Sequence, residues 1–217
     1  IMTYSYLFEK DKNLIFKEII KYSNKIEAIP EKEFNNQIRA PNKKLRIGFI
    51  SGDFCEHPVS YFLLDFLEKF NDQNFESYAY YNYNKVDKVT DKLKSLFSKF
   101  NDIYHLSNAK KINFIKTDNI DILIDLSGHT SRNCLSVMKS KPSPLQMTWL
   151  GFSETTGLKE IDYIICDKIS LPKSEEKWFV EKPLRLNNSY YCFSNPGTDK
   201  FKIEEKNNKT LVFGSFC

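Results

Sequence analysis

Paired cysteines and membrane-spanning apolar runs are both missing from this 217-residue sequence. Its five cysteines are an odd set without a C-x-x-C pair, which argues against a disulfide framework and against a zinc site. No apolar run is long enough to cross a bilayer, and no charged and then apolar leader stands at the N-terminus. We therefore expect a soluble cytoplasmic protein without membrane insertion.

Long basic runs are missing as well. The formal net charge is +4, spread over segments of mixed sign without an interleaved aromatic and basic motif. No nucleic-acid partner is therefore expected, whereas the mildly basic balance is compatible with a phosphate-bearing small molecule and equally with no partner at all. Hydrophobic residues make up 41% and charged residues 28% of the chain, which is typical of a globular protein.

Glycine is scarce, with seven residues, and the familiar glycine-rich phosphate loops do not occur. There is no Walker-type loop, and no G-x-G-x-x-G follows the first predicted strand, so a dinucleotide enzyme of the usual type is disfavoured. From Leu45 onward the chain instead alternates short apolar runs with helical patterns. This alternation predicts an α/β fold, a Rossmann-like parallel sheet with crossover helices.

Six strands and four crossover helices follow from this alternation. The predicted strands are LRIGFI, ESYAYYNY, DIYHL, IDILIDLSG, LQMTWLG and IDYIICD. The nearly continuous apolar run of the fourth predicts burial on both faces. The predicted helices are residues 59–70, KVTDKLKSLFSKF, NAKKINFIKTDN and NCLSVMKSK. After Asp167 the regularity decays, so we expect a short helix in PKSEEKWFV and mostly extended chain and loop beyond it.

The composition divides the chain into three parts. Residues 1–40 predict a helical appendage, in NLIFKEIIKYSNKIEAI, and a polar linker bounded by prolines. This helix either packs on the main domain or ends a longer N-terminal region. Residues 41–200 form the predicted main domain, and the apolar run TLVFGSF within residues 201–217 predicts the start of a second, truncated domain.

Three polar, glycine-bearing loops follow strong predicted strands and indicate a ligand site. They are residues 51–57, 127–131 and 151–157. In a parallel sheet the carboxyl ends of the strands meet at one edge, and ligands bind in the crevice beyond it. We therefore expect His57 and His129 on the same face as Thr155 and Thr156.

Each of the leading candidates also has a purely structural interpretation. His57 precedes Pro58 at the cap position of a helix, where histidine is a poor cap, so a role in the cleft and a single backbone hydrogen bond are equally open. His129 follows Gly128 at a strand end, and both interpretations are open there too. Asp53 could pair with a histidine, bind a ligand hydroxyl or serve as a turn residue, and the last is favoured.

Two further candidates have weaker support. Thr155, Thr156 and Gly157 offer hydrogen-bond donors to a phosphate or a sugar, although such loops are also common turns. His105 lies within DIYHL, with no glycine turn after it, and is favoured as an edge or core histidine.

Four separated segments together resemble the catalytic region of the O-linked N-acetylglucosamine transferases, in its bacterial, SPINDLY-like branch. They are LRIGFISGDFCEHPVSYFL, IDILIDLSGHTSRNCL, KPSPLQMTWLGFSETTGLKEIDYIICD and EKPLRLNNSYYCFSNP. The resemblance implies the N-terminal lobe of a GT-B glycosyltransferase. It also implies that residues 1–40 end a tetratricopeptide region or its linker and that residues 201–217 begin the C-terminal lobe.

The implied reaction is an inverting transfer of N-acetylglucosamine from UDP-N-acetylglucosamine to a Ser or Thr hydroxyl of a protein or peptide. His57 is then the candidate catalytic base, because an imidazole can take up a proton near neutral pH. No metal or other cofactor is expected. The candidate substrate-binding residues are Asp53, Gly128, His129, Thr130, Gly151, Thr155, Thr156 and Gly157.

One loop departs from the family's pattern. Residues 151–157 are Gly-Phe-Ser-Glu-Thr-Thr-Gly, where the family commonly has Gly-Tyr-Pro-Gly-Thr-Thr-Gly. The change alters the stiffness of the loop, and Glu154 adds a negative charge near the expected diphosphate. Two other functions stay open: a non-catalytic interaction module derived from a transferase lobe, and sugar transfer to a polysaccharide.

Overall fold

All the strands of the described structure belong to one parallel sheet. The computed structural model describes residues 1, 3, 5, 11–29, 43–70 and 73–193. Within these residues the strands are β1 Leu45–Ser51, β2 Phe75–Tyr81, β3 Lys99–Asp102, β4 Ile122–Asp125, β5 Leu145–Thr148, β6 Tyr163–Cys166 and β7 Lys182–Arg185. Their order is β3-β2-β1-β4-β5-β6-β7. Because the strand order reverses at β1, a crevice opens beyond the carboxyl ends of β1 and β4.

Helices connect the strands, and side chains cap several of their N-termini. The described helices are α1 Lys12–Ser23, α2 Pro58–Glu68, α3 Lys88–Leu96, α4 Asn108–Thr117, α5 Leu135–Lys139 and a 3₁₀ helix at Lys173–Trp178. Asp11 accepts a hydrogen bond at the start of α1, and Asp87 and Thr90 form a reciprocal capping box on α3. No helix in the described part of the chain is long and apolar enough to cross a membrane.

The central strand β1 is buried on both faces because its side chains alternate between two hydrophobic clusters. Phe49 belongs to one cluster, together with Leu63 and Leu67 of α2. Ile50 belongs to the other, together with Ile112 of α4. Burial on both sides fixes the position of β1 firmly, and with it the loop that leads to His57.

The third strand lies earlier in the chain than the sequence predicted. DIYHL was the expected strand, but the strand is β3, which pairs with Tyr78–Tyr81 of β2. Helix α3 ends at Leu96, so Lys99 and Phe100, predicted as the end of a helix, instead begin the strand that pairs with β2. Ile103 then enters the core and the chain turns, which leaves His105 exposed. The prediction of an edge or core histidine at that position was wrong.

Strand β7 was not predicted at all. It pairs with β6 in parallel, from Lys182 opposite Tyr163 to Arg185 opposite Cys166. Pro183 argues against a strand prediction for this segment, because proline lacks the N–H that a central strand needs. β7 stands at the edge of the sheet, where a proline is tolerated.

Helix α1 packs on the main domain, as one of the two interpretations of the appendage expected. Ile15 and Ile19 are buried, and the Ser23 hydroxyl donates to the Thr156 carbonyl at 2.7 Å. The predicted linker at residues 30–40 and the predicted start of a second domain at residues 201–217 lie outside the described residues.

Candidate functional site

A cavity of about 610 Å³ opens beside the N-terminus of α2, at the carboxyl edge of the sheet. His57 and residues 150–154 line it, so two of the three predicted loops meet there. Phe62, Tyr190 and Tyr191 add an aromatic wall, in which the Phe62 and Tyr191 ring centroids lie 4.7 Å apart. A cavity of this size, lined by aromatic side chains and by polar groups, is typical of small-molecule sites.

His57 both caps α2 and lines the cavity. Its Nδ1 accepts a hydrogen bond from the Val59 N–H at 3.3 Å. A ring nitrogen that accepts a hydrogen bond bears no proton, so the proton of the neutral imidazole lies on Nε2. The side chain is 38% exposed. In this conformation His57 brings an N–H donor to the cavity, whereas the predicted role as a base requires the other tautomer and stays a prediction.

Asp53 lies next to His57, and its carboxylate is buried. Its Oδ1 accepts a hydrogen bond from Arg132 Nη2 at 3.0 Å, and its Oδ2 lies 4.0 Å from Nδ1 of His57. The guanidinium of Arg132 stacks on Tyr83, 4.0 Å from the ring centroid. The structure therefore brings Asp53 and His57 together through a carboxylate that Arg132 orients. Arg132 lies in the segment IDILIDLSGHTSRNCL, but the sequence analysis did not select it, because its partner Asp53 is distant in the sequence.

The loop after β4 folds around Asp125, which the sequence analysis did not select. The carboxylate accepts hydrogen bonds from the N–H groups of Ser127 and Gly128, at 3.3 and 2.7 Å, and from the Thr148 hydroxyl at 3.3 Å. Burial raises the pKa of Asp125 to about 6. The Thr130 hydroxyl donates to the Ser127 carbonyl at 2.8 Å. Gly128 and Thr130 thus shape this loop, and their contact with substrate stays a prediction.

His129 joins the loop after β4 to the loop after β5. Its Nε2 lies 2.8 Å from the Thr156 carbonyl oxygen, which can only accept, so the ring donates its proton there. The side chain is almost buried and packs edge-on against Tyr22 and Phe152. Burial lowers the pKa of His129 to about 4, which keeps the ring neutral at pH 7. The structure assigns it this bridging contact, and its predicted contact with substrate stays a prediction.

The buried carboxylate of Glu181 accepts hydrogen bonds from Thr155 and Thr156. Its Oε2 accepts from the Thr155 hydroxyl at 2.6 Å, and its Oε1 accepts from the Thr156 N–H at 2.8 Å and from the Thr156 hydroxyl. All three residues are buried. The donors that were predicted to bind substrate are therefore engaged by Glu181, and that predicted role stays untested. Glu181 itself was missed because the strand that follows it, β7, was not predicted.

Two glycines of the same loop permit close approaches of the backbone. Leu150 and Gly151 both have positive φ, 59° and 38°, so the chain turns back sharply after β5. A Cβ on Gly151 would lie 2.0 Å from the Leu126 carbonyl oxygen. A Cβ on Gly157 would lie 2.7 Å from Oγ of Ser23 in α1. Both glycines, predicted to bind substrate, set the position of the loop, which is thereby fixed at both ends.

Replacing Glu181 with glutamine should destabilise the protein by about 3 kcal/mol. The amide NH₂ would face donors, and the hydrogen bonds to a charged acceptor would be lost. The measurement is the free energy of unfolding in denaturant. The control is Glu175→Gln, a more exposed carboxylate paired with Lys12, which should change it by no more than about 0.5 kcal/mol. Equal effects of the two variants would contradict the anchoring role.

Asp125 and His129 should give the unfolding free energy opposite dependences on pH. Folding raises the pKa of Asp125 from 3.8 to about 6, so its contribution is present below pH 3.8 and is lost as pH rises to 6. Folding lowers the pKa of His129 from 6.5 to about 4, so its contribution is present above pH 6.5 and is lost as pH falls to 4. Each group contributes about 3 kcal/mol to the free energy of unfolding. In the wild type the two opposite dependences on pH largely cancel.

Single variants separate the two effects. Relative to the wild type, the unfolding free energy of Asp125→Asn should rise more steeply with pH between pH 4 and 6.5, because the contribution of Asp125 is removed and that of His129 remains. That of His129→Gln should fall relative to the wild type, because the contribution of Asp125 remains. The slope with pH is the measured quantity, so an overall loss of stability in either variant does not affect the comparison. Parallel slopes would show that the two groups do not have the assigned environments.

The fold and the site together define a class of protein. A doubly wound parallel sheet with a cavity at the carboxyl ends of its strands is a Rossmann-like ligand-binding lobe. The sequence profile of glycosyl transferase family 41 matches residues 7–201. The chain belongs to this family.

Relatives and a solved structure agree with this assignment. The chain is 34% identical over 185 residues to a Solanum lycopersicum protein named "Probable UDP-N-acetylglucosamine–peptide N-acetylglucosaminyltransferase SPINDLY", covering 82% of this chain and 20% of the relative. It is 28% identical over 171 residues to the UDP-N-acetylglucosamine–peptide N-acetylglucosaminyltransferase of Caenorhabditis elegans, covering 76% and 15%. The chain thus spans about a fifth of the length of the curated relatives it matches.

The structural comparison gives the same answer. An O-GlcNAc transferase mutant from Thermobaculum terrenum superposes with a TM-score of 0.78 at 30% identity, covering 86% of this chain and 36% of that one. The family resemblance and the predicted α/β fold class of a GT-B lobe are therefore confirmed.

Proposed function

We propose that this chain forms a catalytic lobe of an inverting glycosyltransferase, which transfers N-acetylglucosamine from UDP-N-acetylglucosamine to Ser or Thr hydroxyls of proteins. The supporting observation is the cavity of about 610 Å³ in which His57 meets residues 150–154, within a chain of family 41. The activities named for the SPINDLY protein and the nematode relative support the donor and the acceptor.

His57 is the proposed catalytic residue. Its Nε2–H would donate to an oxygen that gains negative charge as the diphosphate leaves, which lowers the barrier most where water is excluded. The Asp53 carboxylate lies beside the ring, with its Oδ2 4.0 Å from Nδ1 of His57. Arg132 keeps that carboxylate in place through its hydrogen bond to Oδ1.

The loop at residues 151–157 is the proposed wall against which the substrates are oriented. Glu181 and the close approach of Gly151 to Leu126 hold it rigidly, and rigid walls favour reactive alignment of bound groups. The proposal includes a nucleotide-sugar donor, a protein or peptide acceptor and a cytoplasmic location. It includes no metal or other cofactor, because the family resemblance implies a metal-free transfer.

Isothermal titration calorimetry with UDP-N-acetylglucosamine tests the donor. The protein expressed from its natural coding sequence should bind this donor and should release UDP when Ser- and Thr-containing peptides are added. A parallel screen of polysaccharide acceptors distinguishes the two kinds of transfer. Absence of both nucleotide-sugar binding and UDP release would refute the proposed function.

A further inference from the structure

Glu154 contributes a carboxylate to the lining of the cavity that contains His57. It is half-buried and stands in the middle of the loop at residues 151–157. The backbone on either side of it is fixed, by the approach of Gly151 to Leu126 and by the hydrogen bonds of Thr155 to Glu181. Glu154 thus lines the cavity from a loop that is held at both ends, and a rigid support is what the positioning of a reactive group requires.

The surroundings of Glu154 favour a carboxylate that binds protons more readily than usual. Burial raises its pKa, and the negative charge of Glu175 in the 3₁₀ helix adds to this. The positive charge of Lys12 at the start of α1 acts in the opposite direction, but Lys12 is itself paired with Glu175. Tyr190 and Tyr191 also line the cavity, and burial raises the pKa of the Tyr190 phenol, which therefore keeps its proton. His57 contributes an N–H donor in this conformation.

The two side chains have complementary hydrogen-bonding capacities. The free nitrogen of His57 bears a proton, so the neutral ring can donate to a bound molecule but cannot take its proton. An ionised carboxylate only accepts. While the His57 ring keeps its Nδ1 bond to Val59, Glu154 is the lining side chain that can accept a proton from a hydroxyl bound in this cavity.

We propose that Glu154 is the general base of the sugar transfer, an inference that rests on the proposed function. The O–H bond of the acceptor Ser or Thr breaks and its proton moves to the carboxylate of Glu154. The hydroxyl oxygen bonds to the anomeric carbon of the donor, and the bond from that carbon to the diphosphate breaks, with its electron pair leaving on UDP. His57 donates a hydrogen bond to the departing charge.

The test is the steady-state kinetics of sugar transfer in Glu154→Gln, measured on the protein expressed from its natural coding sequence. Loss of a general base lowers kcat by about 10²–10⁴-fold. The KM for the donor and its Kd by calorimetry should stay within about threefold, because glutamine preserves shape. In the wild type, kcat should fall as pH drops below the pKa of Glu154, and this acid limb should disappear in the variant. Glu154→Asp should restore part of the rate.

Glu175→Gln is the matched control, since it removes a neighbouring carboxylate that does not line the cavity. Its kcat at the pH plateau should stay within about twofold of the wild type. If the wild type transfers sugar and Glu154→Gln retains its kcat or its acid limb, the assignment of the base is overturned while the proposed function stands. If a correctly folded wild type transfers no sugar, both are overturned. Thermal unfolding midpoints of all variants identify any loss of rate that comes from misfolding.

Discussion

Replacing His57 with alanine should lower kcat of sugar transfer by about 10²–10³-fold, the effect of removing one preorganised donor to developing negative charge. The KM for UDP-N-acetylglucosamine should change much less, since the donor hydrogen bond strengthens only as the diphosphate leaves. The same substitution also removes the bond from the Val59 N–H to Nδ1, which should cost about 1 kcal/mol of stability.

Serine at the same position separates these two effects. His57→Ser retains a good helix cap but has no N–H to offer the cavity. Its kcat should therefore fall as far as that of His57→Ala, while its free energy of unfolding stays close to the wild-type value. His105→Ala serves as a second control. His105 is exposed in a turn after β3, so this substitution should leave both kcat and the free energy of unfolding unchanged. A His57→Ser variant with wild-type kcat would show that His57 is only a cap.

Replacing Gly151 with alanine should cost about 3–5 kcal/mol of unfolding free energy, a large part of the stability of a typical domain. The new Cβ would lie 2.0 Å from the Leu126 carbonyl oxygen and 2.6 Å from its carbonyl carbon. Both atoms are backbone at the end of β4, so they cannot rotate away as a side chain does. The residue would also have to keep a φ of 38°, which disfavours any L side chain.

Gly48→Ala is the matched control for this prediction. Gly48 lies inside β1, has no positive φ, and its Cβ would meet side-chain atoms of Leu123 and Tyr80 at 3.0 Å. These side chains can shift by a few tenths of an ångström, so we expect a loss of about 1–2 kcal/mol. Chemical denaturation of both variants measures the difference. Equal losses would mean that the turn after β5 is not the rigid element that the cavity wall requires.

The elements that the sequence predicted well are those in which local pattern and tertiary structure agree. The short apolar runs of β4 and β1 both lie at the centre of the sheet and are largely buried, so hydrophobicity alone located them. β3 and β7 lie at the two edges of the sheet, where one neighbour suffices and the pattern is weaker. Pro183 argued against a strand at β7. Helix α3 is shorter than its sequence pattern indicates, so β3 was predicted too late in the chain.

For the candidate site too, the sequence predicted some features and missed others. Spacing located the loops that meet at the cavity, and it placed His57 correctly at the start of α2. It did not distinguish His57 from His129, because both follow a strand, and the difference is in burial: His129 is 8% exposed and bonded to Thr156. Glu181 was missed because its partners belong to a loop 25 residues earlier in the chain, which no local motif reveals. Asp125 was missed because it stands within an apolar strand run, and its bonds to the N–H groups of Ser127 and Gly128 leave no sequence signal.

The most direct measurement of the central proposal is the incorporation of labelled N-acetylglucosamine into Ser- and Thr-containing peptides. Wild-type protein, His57→Ser and Glu154→Gln, each expressed from the natural coding sequence, are supplied with labelled UDP-N-acetylglucosamine, and the product is identified by mass spectrometry. The account predicts a labelled Ser or Thr with the wild type and at least about 10²-fold slower labelling with both variants. Equal labelling by all three proteins, or none by a folded wild type, would contradict it.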